Sequence, residues 1–112
     1  CNSNNLQTLD LSSNPKLMQL NVSYNLLETL DLSLCPKLQS LYCSFNHLTS
    51  VCLNHCRDIL YIDLCNNLLN KEKLDLLFSQ LPHRTKRAMI YYLENPGSEF
   101  SDYHLLKLKN WD

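Results

Sequence analysis

The sequence predicts an α/β repeat fold, a solenoid with short parallel strands on both walls and a helical C-terminal cap. Three observations carry this reading. Apolar residues recur every 21 residues: Leu6, Leu27 and Leu48; Leu9, Leu30 and Val51; Leu17, Leu38 and Ile59; Leu20, Leu41 and Ile62. Asparagine keeps the same interval at Asn4, Asn25, Asn46 and Asn67. After Leu69 the spacing turns helical. Self-similarity at such a period marks a repeat architecture, in which no unit can bury its apolar face alone.

Leu17 to Leu27 reads L-x-x-L-x-V-x-x-N-x-L, Leu38 to Leu48 L-x-x-L-x-C-x-x-N-x-L, and Ile59 to Leu69 I-x-x-I-x-L-x-x-N-x-L. The central pair of inward residues defines a short strand that stacks in parallel about 4.8 Å from its neighbours. The asparagine falls where the chain turns off that strand. Its amide can satisfy backbone groups that would otherwise be buried unpaired at about 1–3 kcal/mol each. With Asn95 in the last, irregular unit, Asn4, Asn25, Asn46 and Asn67 form a structural ladder.

The pattern is nested. Leu6 to Leu17 reads L-x-x-L-D-L-x-x-N-P-x-L, and Leu27 to Leu38 and Leu48 to Ile59 repeat it with Cys35 and Cys56 in the slot of Asn14. Half-units of 10 and 11 residues leave no room for a helix, so the second wall is also expected to be strand-like. Residues 1–69 thus carry the 21-residue repeats and residues 70–112 form the cap.

Within the cap, Asn70 is placed to cap a helix from about Lys71 to Leu81, with Leu74, Leu77, Phe78 and Leu81 on one face and Pro82 ending it. A polar loop from His83 to Arg87 follows. Ile90-x-Tyr92-x-x-Asn95 then restores the spacing of Ile62-x-Leu64-x-x-Asn67, after 28 residues instead of 21. Asn95-Pro96-Gly97 marks a turn. Ser101 is expected to cap a last short helix running to about Lys109, and Trp111 to cover the open end of the core.

The nested repeat, with "LDLS" at 9–12 and 30–33, "CSFN" at 43–46 and the ending "LKNW", resembles the short leucine-rich repeats of bacterial surface and secreted proteins, common in Bacteroides-type anaerobes. The resemblance covers residues 1–69 and extends into the cap. It implies a leucine-rich-repeat solenoid, an extracellular or cell-surface setting and a protein-binding role. Cys1 to Leu6 already read as mid-repeat sequence, so the chain is expected to be the C-terminal portion of a longer array.

Composition narrows the function. A net charge of −1 gives no electrostatic reason to expect nucleic acid as a partner, and no apolar run approaches the roughly 20 residues of a membrane span. The six cysteines do not read as a disulfide framework. Cys1 and Cys43 share a repeat position with Val22 and Leu64, so they behave as small buried hydrophobes. Cys52, His55 and Cys56, with Cys43 and His47 nearby, are the most tempting metal set, but zinc needs about four converging ligands, His55 and Cys56 lie on a turn, and Cys56 fills the slot of Asn14, so they are read as repeat substitutions. No nucleophile, base and orienting group share a recognisable signature, and with one glycine there is no phosphate-cradling loop. The chain is therefore read as non-enzymatic, with no cofactor and no metal. His83, Arg84, Lys86 and Arg87 are read as a solvated loop, and Asp10 and Asp31 as solvent-facing.

The remaining candidate surface is the outward face of the main strand wall. Register stacks Gln19, Ser40, Tyr61 and Met89 in one column and Asn21, Tyr42, Asp63 and Tyr91 in the next. Tyrosine concentrates at interfaces because it offers apolar area with a polar tip, yet it also suits exposed strands for its own sake. Tyr24 and Phe45, just past the strand, are weaker candidates expected to tuck partly into the core. Two functions follow: a protein-interaction module docking a flat partner, or glycan recognition with rings stacking on sugars while Asp63 and Asn21 bond hydroxyls.

Overall fold

Alternation of polar, apolar and polar residues at each repeat favours a short strand with one buried side chain. The computed structural model describes residues 1–112 and contains six such strands and two helices. These are β1 (Gln19–Asn21), β2 (Thr29–Asp31), β3 (Ser40–Tyr42), β4 (Ser50–Cys52), β5 (Tyr61–Asp63), α1 (Lys71–Gln80), β6 (Met89–Tyr91) and α2 (His104–Leu108). The central residues Leu20, Leu30, Leu41, Val51, Ile62 and Ile90 are all buried.

The chain is an α/β fold with parallel strands in two sheets. One sheet has the order β1-β3-β5-β6, and the second pairs β2 with β4. Leu20 lies opposite Leu41, Leu41 opposite Ile62, and Ile62 opposite Ile90. The second wall is less regular than the sequence pattern predicts. Residues 9–11 form no strand, because no backbone hydrogen bonds tie them to β2. Beyond β4, α1 packs in place of a third strand, and Gln80 accepts a hydrogen bond from Leu53 N at 3.3 Å.

Between the sheets a single apolar core runs from Leu11 to Trp111 and takes in Cys35, Cys43 and Cys56. The first unit packs more loosely, with Leu6, Leu9 and Leu17 only partly buried.

Helix α1 starts where Asn70 Oδ1 accepts from Lys73 N at 2.9 Å, and it buries Leu74, Leu77 and Phe78. Tyr92 meets Phe78 edge-on at 5.1 Å. Gly97 is required by close approach: a Cβ there would lie 2.2 Å from Lys71 N, at the start of α1. Helix α2 is shorter than expected, and Ser101 is not its cap. The Ser101 hydroxyl donates backwards to Gly97 O at 2.9 Å, while Asp102 Oδ1 accepts from His104 N at 3.0 Å. Trp111 is 1% exposed, and its indole donates to Pro82 O at 2.9 Å. Residues 110–112 also pair with β6, through Ala88 N to Asn110 O and Ile90 N to Asp112 O. The end of the main sheet therefore has its edge occupied as well as its core covered.

Candidate functional site

The outward face of the main sheet is built by register. Gln19, Ser40, Tyr61 and Met89 stand opposite one another, as do Asn21, Tyr42, Asp63 and Tyr91. Gln19, Asn21, Met89 and Tyr91 are exposed; Ser40, Tyr42, Tyr61 and Asp63 are half-buried. The tyrosines alternate between the columns and so meet diagonally across neighbouring strands. The Tyr42 and Tyr61 rings are 4.9 Å apart, and those of Tyr61 and Tyr91 are 5.7 Å apart. Tilted aromatic pairs at such separations contribute about 0.5–1.5 kcal/mol beyond their buried area. The three rings form one continuous strip. Burial, with the adjacent Asp63 carboxylate, pushes the Tyr61 hydroxyl above its ordinary range, so it remains a donor.

Two polar residues of the face already have structural work. Asn21 Oδ1 accepts from Ser23 N and Asp63 Oδ1 from Cys65 N, each at 3.1 Å. The same turn recurs on the second wall, where Asp10 and Asp31 accept from Ser12 N and Ser33 N at 2.9 Å. These carboxylates and amides fix the chain as it leaves each strand.

Tyr24 and Phe45 do not tuck into the core. They are 54% and 44% exposed, and their rings stack at 4.5 Å within 7° of parallel. Both have left-handed backbone, with φ of 58° and 55°, a conformation that crowds a Cβ. This was hidden from sequence reasoning, because nothing in residue type marks an aromatic as left-handed. Met18 and Leu60, exposed just before β1 and β5, add apolar area that the column pattern omits.

Behind the face stands the asparagine ladder. Asn25, Asn46, Asn67 and Asn95 each accept at Oδ1 from the backbone of the preceding unit, at Leu6, Leu27, Leu48 and Leu69 N, all at 3.0 Å. Each donates from Nδ2 both within its own turn and to the preceding unit, as Asn46 does to Cys43 O at 3.2 Å and Val22 O at 3.0 Å. The Asn4 side chain donates only locally, to Cys1 O and Asn2 O. Ser44 and Ser23, also buried behind the turn, share a hydroxyl hydrogen bond of 3.2 Å.

The sulfur and imidazole groups do not converge. All six cysteines are unpaired thiols, and no three His, Cys, Asp or Glu side chains gather closely enough to hold a metal ion. Cys43 lies behind the main sheet and donates to Asp63 O, whereas Cys56 lies behind the second wall. His47 lines a cleft with Gln7 and Glu28, and His55 lines a different one with Arg57. The loop after α1 is solvent-exposed as its composition predicts, except at half-buried Arg84. Arg84 donates to Arg57 O at 2.8 Å, and Arg87 pairs with Asp112. The largest concavity is on this side of the molecule and not on the strand face. No helix is long and apolar enough to cross a membrane.

Comparison with protein-family models, curated proteins and solved structures gives no match to this chain.

Proposed function

We propose that this chain is part of a leucine-rich-repeat solenoid and acts as a non-catalytic protein-interaction module, docking a partner on the outward face of β1-β3-β5-β6. The observation that carries the proposal is the continuous strip of Tyr42, Tyr61 and Tyr91, whose rings pack at a tilt across three adjacent strands. Rigid aromatic rings held by a sheet lose little conformational freedom on binding, and this makes such residues effective anchors. The strip is flanked by Met89, with Met18 and Leu60 beside the strands, so apolar area extends across the face. A secreted or cell-surface setting belongs to the same proposal and rests on the resemblance to bacterial surface repeats.

Glycan recognition is the second reading, favoured by the exposed Tyr91 ring. It is weakened because Asn21 Oδ1 and Asp63 Oδ1 are already committed to backbone N–H groups. Fewer groups are therefore free to bond sugar hydroxyls.

The test is a binding screen against extracellular protein domains and glycans, run with the native chain and with a Tyr42→Ala, Tyr61→Ala, Tyr91→Ala variant. A protein hit that weakens at least a hundredfold in the variant, with the fold intact by circular dichroism, supports the proposal. A glycan hit lost in the same way promotes the second reading. A hit that survives the triple substitution removes the strip as the docking site.

A further inference from the structure

The back turn of the third unit breaks the pattern of its two predecessors. The chain reads Leu11-Ser12-Ser13-Asn14-Pro15, then Leu32-Ser33-Leu34-Cys35-Pro36, and then Leu53-Asn54-His55-Cys56-Arg57. Three departures concentrate there. The carboxylates of Asp10 and Asp31, which accept from Ser12 N and Ser33 N, give way to Cys52. Negative charge is thereby removed, and no side chain accepts from the Asn54 N–H. The proline is replaced by Arg57. His55 adopts a left-handed φ of 74°, which neither Ser13 nor Leu34 does. A non-glycine residue held there costs about 1–2 kcal/mol, and such strain clusters at ligand sites.

This turn forms one wall of a cleft of about 630 Å³, and the end of α1 forms the other. Asn54, His55, Arg57, Gln80 and His83 supply its polar lining, and no aspartate or glutamate is among the lining residues. Arg57 takes part in no ion pair. Gln80 uses Oε1 to accept from Leu53 N, which leaves its NH2 as an unused donor. Arg84 stands directly behind the turn: its Nη1 donates to Arg57 O, while its Nε is buried without an acceptor. The Lys109 ammonium adds positive charge at the end of α1, where it donates to Leu81 O at 2.7 Å. The result is a concavity rich in donors and free of carboxylates.

We propose that this cleft binds an anionic ligand through an oxyanion group, with Arg57 as the principal partner and Asn54, His55, Gln80 and His83 as supporting donors. A guanidinium engages a planar or tetrahedral oxyanion through two parallel N–H bonds. The cleft has the size of a small-molecule site, so the oxyanion is carried on a larger polar body. The site is on a different part of the surface from the tyrosine strip, so the two proposals stand or fall separately.

The experiment titrates the 15N-labelled chain with inorganic phosphate, inorganic sulfate, acetate and glucose 6-phosphate, at ionic strength held constant with chloride. Backbone amide shifts confined to residues 53–57 and 80–84 and saturating for at least one oxyanion are expected. Glucose 6-phosphate should bind more tightly than phosphate. Arg57→Gln should weaken binding at least tenfold with an unchanged melting temperature, since its side chain is exposed, whereas Lys16→Gln should leave it within twofold. Preference for phosphate or sulfate assigns a tetrahedral group, and preference for acetate a carboxylate. Shifts that fail to saturate, that chloride reproduces, or that persist in folded Arg57→Gln overturn the proposal.

Discussion

The two turns that close each repeat unit solve the same problem with different chemistry. On the main-sheet side the slot holds asparagine, and on the second wall it holds Asn14, Cys35 or Cys56. The geometric offset is shared. Asn46 reaches back 24 residues to Val22 O, and Cys56 reaches back 24 residues to Leu32 O. The strength is not shared. The amide donates to several carbonyls and accepts an N–H, whereas Cys35 contacts Leu11 O and Asn14 O only at 4.0 and 3.6 Å and accepts nothing. Thiols are weak donors that otherwise behave as small hydrophobes. The difference follows from what each turn leaves unpaired. At the second wall the backbone closes on itself, Cys35 N to Leu32 O and Leu38 N to Cys35 O, so the slot needs little more than an apolar plug. At the main sheet Leu27 N and Leu48 N have the asparagine oxygen as their acceptor, so the slot needs an amide.

The largest effect expected from this contrast is at Asn46. Replacing it with alanine strips Leu27 N of its acceptor and removes the donor to Val22 O and Cys43 O, all buried. A loss of about 3 kcal/mol is expected, read as a lower urea midpoint at unchanged slope. An effect below about 1 kcal/mol would dissolve the distinction between the two turns. Cys56→Ala should cost about 1 kcal/mol, because it removes a packed sulfur and leaves no N–H stranded.

The thiol chemistry sharpens the same point. Burial, reinforced by Cys35, Cys52 and Asp31, pushes the Cys56 thiol up to about 12, and burial also raises Cys43. Alkylation at neutral pH should label Cys1, which is exposed and not buried as its repeat position predicts, and reach Cys43 and Cys56 only after unfolding. The smallest expected effect concerns the second-wall Asx turns. Hydrogen bonds from Ser33 hold the Asp31 carboxyl below its usual range. Its contribution is present above the ordinary carboxylate range and is lost as pH falls through the lowered folded value. Asp31→Ala should slightly lower the neutral plateau and so flatten the acid limb of the stability profile, with stability below the lowered folded value almost unmoved.

Much of this arrangement was legible in the sequence because a period forces register. Once Leu20, Leu41 and Ile62 are aligned, the opposition of Tyr61 to Ser40 and of Asp63 to Tyr42 follows, as does the position of each asparagine behind the sheet. The cap helix was legible through Asn70, Pro82 and the spacing of its leucines. What escaped depends on non-periodic contacts. Tyr24 and Phe45 stack because two consecutive left-handed turns align their rings. Ser101 loses the cap position because the preceding turn offers it Gly97 O first. Arg84 inserts behind Arg57 across 27 residues of chain, a pairing that no local pattern announces. Residues 9–11 have the right alternation for a strand but lack the ladder partner that would make them one.

The strand order has a mechanical consequence. In the main sheet every pairing joins residues 21 or 28 apart, and no strand bonds to any but its neighbours in the stack. Tension applied to the two chain termini therefore does not shear the sheet as a whole. It peels first residues 1–6, which bond along the open side of the β1 unit, and then β1 itself, while Trp111 and the 110–112 pairing clamp the opposite end. Each detached unit of 21 residues releases about 70 Å of extended chain. The molecule yields to force as a row of separate latches, opened in order and each carrying its own asparagine.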